Sequence, residues 1–181
     1  MLRFMLALMD GDAARMEAEV RKAAALAPGR NEIRQAAILV AVNRGRYDEA
    51  RRLFEAHNRE RAFEYAMIIL PGYVEWKAGT EVAADSLFRE GERRSREMID
   101  QAPAENESYV DLARIASVRG EIDEAVSWME RAYAHGRRDV GFLRLDPPLE
   151  NVRRDPRFQR LLQRMEADIA RMRQRAPKEM P

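Results

Sequence analysis

Two stretches of the chain, "NRGRYDEARRLF" (43–54) and "VRGEIDEAVSWM" (118–129), share one skeleton. Each has Arg-Gly, two variable residues, Asp-Glu-Ala and, four residues after the alanine, a large apolar residue. A pattern that occurs twice in a chain of 181 residues indicates an internal structural repeat. The glycine of the pattern serves as a marker for further copies.

Four glycines mark the repeat. Gly11, Gly45 and Gly79 are spaced 34 residues apart, and Gly120 follows Gly79 after 41 residues. The longer interval exceeds the others by about two helical turns, so the third unit can be longer without rotating its apolar face.

Apolar or small residues, with His57 as the exception, recur five, nine and twelve positions after these glycines. They are Met16, Ala50, Ala84 and Ala125; Val20, Phe54, Phe88 and Met129; and Ala23, His57, Gly91 and Ala132. Steps of four and three residues place each set on one face of a helix. Apolar pairs such as Ile38 with Ala41 and Ala113 with Ala116 mark another helix before the glycine. Each unit is therefore predicted to be helix, glycine turn, helix.

A period of about 34 residues with two helices per unit is the signature of the tetratricopeptide repeat, and residues 1–136 resemble that family. The resemblance implies an all-α fold, a right-handed superhelix of about four stacked hairpins. The expected units are 1–30, 31–62, 63–104 and 105–136. The second and fourth match best. In the third, Pro71 predicts a kink in the first helix, whereas Gly72 stands where the family favours a small residue for close helix packing.

Residues 137–181, the closing segment, lose the period. Asp146-Pro147 and Asp155-Pro156 each predict an N-cap followed by proline in the first turn, and a closing helix is expected from about 156 to 175, before a basic tail. The segment is similar to one that closes tetratricopeptide arrays in bacterial signalling and regulatory proteins, which implies a bacterial source and a piece of a larger protein. Its apolar spacing favours covering of the last repeat, with homodimer formation as the alternative.

The family resemblance also implies that the first helices line a concave groove that binds a peptide. The predicted binding residues are Gln35, Leu39, Asn43, Ile69, Tyr73, Trp76, Lys77, Val110 and Arg114. The same rows include Met5, Leu8 and Met9 near the start of the chain. The cations Lys77 and Arg114 favour a ligand with apolar anchors and at least one acidic group. The alternative is that these residues, Trp76 above all, only pack between units.

The composition argues against several other classes. The chain has no cysteine and only two histidines, His57 and His135, and it lacks a phosphate-binding loop, a nucleophile elbow and metal-ligand spacing. No catalytic, cofactor or metal site is therefore predicted. A net charge of +1 gives no global attraction for nucleic acid, and no apolar run is long enough for a membrane span.

These observations predict a non-enzymatic protein–protein interaction module, a scaffold of the kind used in signalling, that binds a protein or peptide in its groove. The alternative is a structural or regulatory module that packs on an N-terminal cyclase, kinase or DNA-binding domain of a larger bacterial protein. A cytoplasmic location is expected, or a periplasmic one if the chain belongs to a membrane-anchored protein. The sequence leaves the partner and the oligomeric state open.

Overall fold

A computed structural model describes residues 7, 12–27, 30–60 and 69–175. Over these residues the chain forms helices, turns and short connections, and no strand. The helices are α1 (Ala13–Leu26), α2 (Asn31–Asn43), α3 (Tyr47–Glu60), α4 (Ile69–Lys77), α5 (Glu81–Gln101), α6 (Glu107–Arg119), α7 (Ile122–Ala134), α8 (Val140–Leu145) and α9 (Pro156–Arg175). Short 3-10 turns at Pro147–Leu149 and Val152–Arg154 join α8 to α9.

The helices stack in chain order. α2 pairs with α3, α4 with α5 and α6 with α7, and contacts of α1 with α2, α3 with α4 and α5 with α6 join the hairpins. Each helix therefore buries its apolar face against its neighbours, as stacked hairpins must. The predicted all-α, tetratricopeptide-like solenoid is confirmed.

Glycine turns end the first helices of the hairpins. Gly45, Gly79 and Gly120 have φ values of 68°, 77° and 79°, a left-handed conformation that glycine adopts without a steric penalty. The N–H of the following residue donates to a carbonyl five positions back, as in a Schellman turn. These bonds are Arg46 to Ala41, Thr80 to Glu75 and Glu121 to Ala116, at 2.8, 2.9 and 2.9 Å. The predicted turns are confirmed, and Gly11 lies outside the described residues.

Small residues mark the closest helix contacts. Ala50, Ala84 and Ala125 are each 0 % exposed. A Cβ atom on Gly72 would lie 2.7 and 2.9 Å from two carbons of the Phe88 ring, closer than real Cβ atoms approach other atoms. The expected close approach at Gly72 is therefore confirmed.

The third hairpin differs from the others in its proline and its length. Pro71 is a buried residue of α4, and the residues just before Ile69 lie outside the described part of the chain, so the expected kink stays a prediction. α5 has 21 residues, whereas α7 has 13, so the extra two turns of the long repeat lie in α5.

The closing segment covers the last hairpin. α9 has the predicted bounds, and its residues Phe158, Leu162 and Met165 are fully buried in the cluster that contains Met129 of α7. The Asp155 Oδ1 atom accepts the backbone N–H of Arg157 at 2.8 Å, which confirms this N-cap. Hydrogen bonds from the Arg157 side chain and backbone hold the pKa of Asp155 at about 2.

Asp146 stands at the N-cap position of the 3-10 turn with Pro147 in its first turn, as predicted, but its side chain makes no capping hydrogen bond. Its carboxylate instead receives a hydrogen bond from Arg114. No helix in the described part of the chain has the length and apolarity needed to cross a membrane.

Candidate binding groove

The first helices α2, α4 and α6 carry the predicted groove residues at equivalent positions before each turn glycine. The structure pairs Lys77 and Arg114 with Glu150 and Asp146 of the closing segment, buries Tyr73 and leaves Trp76 at the surface. Met5, Leu8 and Met9 lie outside the described residues. The closing segment thus covers part of the face on which the groove was predicted.

Residues 142–152, which we call the bridge, run across the groove. At one end Phe142 and Leu145 pack against the apolar cluster formed by Ala7, Met16, Ala36 and Val40, which belongs to the N-terminal part of the solenoid. At the other end the side chain of Asn151 donates to the Ser117 carbonyl at 2.9 Å. The bridge therefore touches the first helices of widely separated repeats.

The buried Arg114 guanidinium fixes the middle of the bridge. Its Nε atom donates to Asp146 at 2.7 Å, and its Nη1 atom donates to Glu107 and Asp111 at 2.6 Å each. The ring of Phe142 lies 5.7 Å from the guanidinium carbon. Arg114 is only 7 % exposed, so a partner has no access to it while the bridge is in place.

Burial and charge act against each other in this cluster. Burial disfavours a charged guanidinium, but Asp146, Asp111 and Glu107 outweigh it and raise the pKa of Arg114 above its ordinary value. Burial raises the pKa of Asp111 to about 6, and that of Asp146 is also raised by burial. Glu107 is likewise desolvated, but Arg114 and Arg137 outweigh this effect and lower the pKa of Glu107.

Lys77 is paired nearer to the surface. Its ammonium forms an ion pair with Glu150 of the bridge, and it lies 5.5 Å from the centre of the Tyr73 ring. The Lys77 and Glu150 side chains are 29 % and 38 % exposed, so solvent reaches both. Such an exposed ion pair contributes only about 0–1 kcal/mol, and another carboxylate can replace Glu150 at little cost.

The groove residues in α2 and at the end of α4 remain accessible. Gln35, Leu39 and Asn43 are half-buried, and Asn43 donates to the Leu39 carbonyl of its own helix at 2.9 Å. Trp76 is 36 % exposed, and its indole N–H has no hydrogen-bond partner among the described residues. These four are the predicted groove residues that stay at least partly exposed, and we call them the open part of the groove.

Two other predicted residues are core residues in this structure. Val110 is 0 % exposed and Ile69 is 5 % exposed. Both belong to the apolar clusters that join neighbouring hairpins. With these clusters intact, neither side chain offers contact area to a ligand.

The described residues contain no group of three or more His, Asp or Glu side chains that could hold a metal ion. His135 stacks on Tyr109 with 4.8 Å between ring centroids, and the His57 side chain lies outside the described side chains. The sequence pattern missed Phe142 and Glu150 as groove residues. The Asp146-Pro147 pair predicted the start of a short turn but not the pairing of the Asp146 carboxylate with Arg114.

Two segments of the chain, residues 36–56 and 107–131, match the family model described as tetratricopeptide repeat. The first covers the α2–α3 hairpin up to Ala56, and the second covers α6 and most of α7. No curated protein and no solved structure matches the chain.

These matches and the stacked hairpins support repeats of the tetratricopeptide family at both places. Repeats of this family are non-catalytic and generally mediate protein–protein interaction. Neither match extends into the closing segment.

Proposed function

We propose that this chain is a non-enzymatic protein-interaction module whose ligand lies on the open part of the groove, formed by Gln35, Leu39, Asn43 and Trp76 with Lys77 at its edge. The exposed Trp76 is the observation that carries the proposal. It combines a large apolar surface with an unpaired indole donor at a groove position. Tryptophan is enriched among the residues that contribute most to protein interfaces.

The chemistry of the open part suggests an extended segment with an apolar side chain next to an acidic one. Leu39 and Trp76 offer apolar contact, and Gln35 and Asn43 carry amides for backbone hydrogen bonds. A ligand carboxylate can take Lys77 from Glu150, since that ion pair is exposed. Arg114 has no part in this proposal, because its charge is used within the fold.

The test is a selection of short peptides that bind the purified protein, followed by affinity measurements on variants. Trp76→Ala should weaken the selected peptide by about 2 kcal/mol or more, as is common for an aromatic anchor. Met172→Ala is the matched control, since Met172 is an exposed large apolar residue on α9, 53 % exposed and outside the groove. Equal affinity of the Trp76→Ala variant and the wild type, with the helical spectrum intact, contradicts the groove proposal.

A second candidate function is docking onto another domain of a larger bacterial protein, such as a cyclase, kinase or DNA-binding domain. It is favoured by a separate cleft of about 590 Å³ between α1 and α2, with Val20, Leu26 and Ile33 among its lining residues. Leu26 is 88 % exposed, so its apolar surface is available to an adjoining domain. Leu26→Ser should then release this module from the adjoining domain in a limited-proteolysis experiment on the whole protein, whereas unchanged protection contradicts this candidate.

A further inference from the structure

A pocket of about 600 Å³ lies away from the groove, between the second helices α5 and α7 and the start of α6. We call it the Trp128 pocket. Its lining residues are Arg96, Ile99, Asp100, Tyr109, Trp128, Arg131 and His135.

Three rings form one wall of the Trp128 pocket. The ring centroids of Trp128 and Tyr109 lie 6.3 Å apart. Tyr109 stacks on His135, with 4.8 Å between ring centroids and an angle of 5° between the ring planes. Hydrogen bonds hold two of these rings, because the Trp128 indole donates to Glu124 at 3.0 Å and the Tyr109 hydroxyl donates to the Pro103 carbonyl at 3.1 Å. The wall is therefore fixed by the fold before any ligand arrives.

Two arginines lie against this wall. The guanidinium carbons of Arg131 and Arg96 are 4.5 and 5.5 Å from the centre of the Trp128 ring. Neither side chain has a carboxylate partner among the described residues, whereas Arg93 and Arg94 of the same helix α5 both pair with Glu90. The pocket thus holds two oriented guanidinium groups whose N–H donors are not used within the fold.

We propose that the Trp128 pocket binds an oxyanion, a carboxylate or a phosphate, carried on a side chain of a partner protein next to an apolar residue. The planar fork of a guanidinium matches the oxygens of either group, and contact with the Trp128 ring keeps both guanidinium groups at the pocket. Ile99 and the ring wall supply apolar contact for the neighbouring side chain. This site is independent of the proposed groove, whose cations Lys77 and Arg114 already pair with Glu150 and Asp146.

Asp100 gives the proposal a charge-specific signature. Its carboxylate is exposed at the pocket and has no partner among the described residues. It repels an acidic ligand, so Asp100→Asn should tighten binding, while it would have no such effect on a neutral ligand.

The test uses nuclear magnetic resonance, because the chain has two tryptophans and each gives one indole N–H signal. Trp128 reports on the pocket and Trp76 on the groove, in the same sample. The probes are three synthetic peptides, acetyl-Ala-Phe-Glu-Ala-amide, its glutamine analogue and its phosphoserine analogue. The glutamate and phosphoserine peptides should shift the Trp128 signal, and the glutamine peptide should not. Whichever of the two acidic peptides binds more tightly identifies the preferred oxyanion.

Variants distinguish a specific binding site from nonspecific electrostatic attraction. Arg96→Gln and Arg131→Gln should each weaken binding about threefold or more, whereas Arg52→Gln, the same charge change at an exposed residue of α3, should not. The proposal is overturned if neither acidic peptide shifts Trp128 at millimolar concentration, if the glutamine peptide shifts it equally, or if the two arginine variants bind like the wild type. If only the Trp76 signal shifts, the peptide binds at the groove, and this outcome also overturns the proposal for the Trp128 pocket.

Discussion

The Nε atom of Arg114 donates to the Oδ2 atom of Asp146 at 2.7 Å, joining residues 32 positions apart in the chain. The two side chains are only 9 % and 5 % exposed. A buried charge is tolerated when it is paired and hydrogen-bonded, and Arg114 meets this condition through three carboxylates. This ion pair joins the last hairpin to the bridge, together with the hydrogen bond from Asn151 to Ser117.

Truncating Arg114 should destabilise the protein strongly. Arg114→Ala leaves Asp146 and Asp111 buried without their cation, and breaking a buried pair in this way costs about 3–5 kcal/mol. The free energy of unfolding can be measured by urea denaturation followed by circular dichroism. Lys77→Ala is the control, since its exposed pair with Glu150 contributes about 0–1 kcal/mol. Equal losses in the two variants would show that the Arg114 cluster does not stabilise the fold.

The free energy of unfolding should change with pH as Asp111 titrates. Burial is the main cause that raises the pKa of Asp111 from an ordinary 3.8 to about 6. The folded protein binds this proton more tightly than the unfolded chain, so this stabilisation is complete below the unfolded pKa and is lost as the pH rises through 6. Asp111→Asn removes the titration and keeps the side-chain shape. Relative to the wild type, the variant should gain up to about 3 kcal/mol in unfolding free energy between about pH 4 and about pH 8.

Urea denaturation of both proteins across this pH range measures the difference. Glu107, with its lowered pKa, contributes with the opposite sign, but it is present in both proteins and largely cancels. Asp100→Asn on the surface of α5 is the matched control. A difference between Asp111→Asn and the wild type that does not change with pH would contradict this prediction.

Gly72→Ala should overpack the contact of α4 with α5. The added Cβ atom would lie 2.7 Å from the Phe88 ring, and such overpacking commonly costs about 1–3 kcal/mol, although alanine is the better helix former. Thermal unfolding of Gly72→Ala, Phe88→Leu and the double variant completes a cycle. The double variant should be more stable than the sum of the two losses predicts, because leucine leaves room for the methyl group. Strict additivity would sink the steric explanation.

Ala125→Leu should show the same effect at the start of α7. Ala125 is 0 % exposed, so the larger side chain has no space and should cost about 1–3 kcal/mol. Ser127→Leu, two residues further on at an exposed position of the same helix, should change the melting temperature little. If both leucine variants melt together, Ala125 is not a contact residue.

The sequence predicted the parts of the fold that depend on local signals. Gly45, Gly79 and Gly120 marked the turns because a left-handed residue is needed there, and Ala50, Ala84 and Ala125 marked the contacts because only small residues fit. Asp155-Pro156 fixed the start of α9 for the same local reason. The division of the chain at residues 30, 62, 104 and 136 stays a prediction.

The candidate site was less predictable, because its shape depends on contacts between distant residues. Nothing near Arg114 in the sequence indicates that Asp146 will pair with it, and nothing near Leu39 indicates that Phe142 will cross to the N-terminal repeats. Helical periodicity gives the face on which a residue lies but not what covers that face. Trp76 is the predicted residue whose large apolar surface stayed open, and its role as a binding residue remains a prediction.

The bridge changes how the molecule is expected to fold. A plain solenoid holds itself together with contacts between neighbouring repeats, so its ends can unravel separately and its folding can begin anywhere. Here Phe142 and Leu145 reach the cluster of Met16 and Ala36, which closes a loop of about one hundred residues. Such long-range contacts form late and only when both ends are in place. We therefore expect this repeat array to unfold in an all-or-none manner, as a globular domain does.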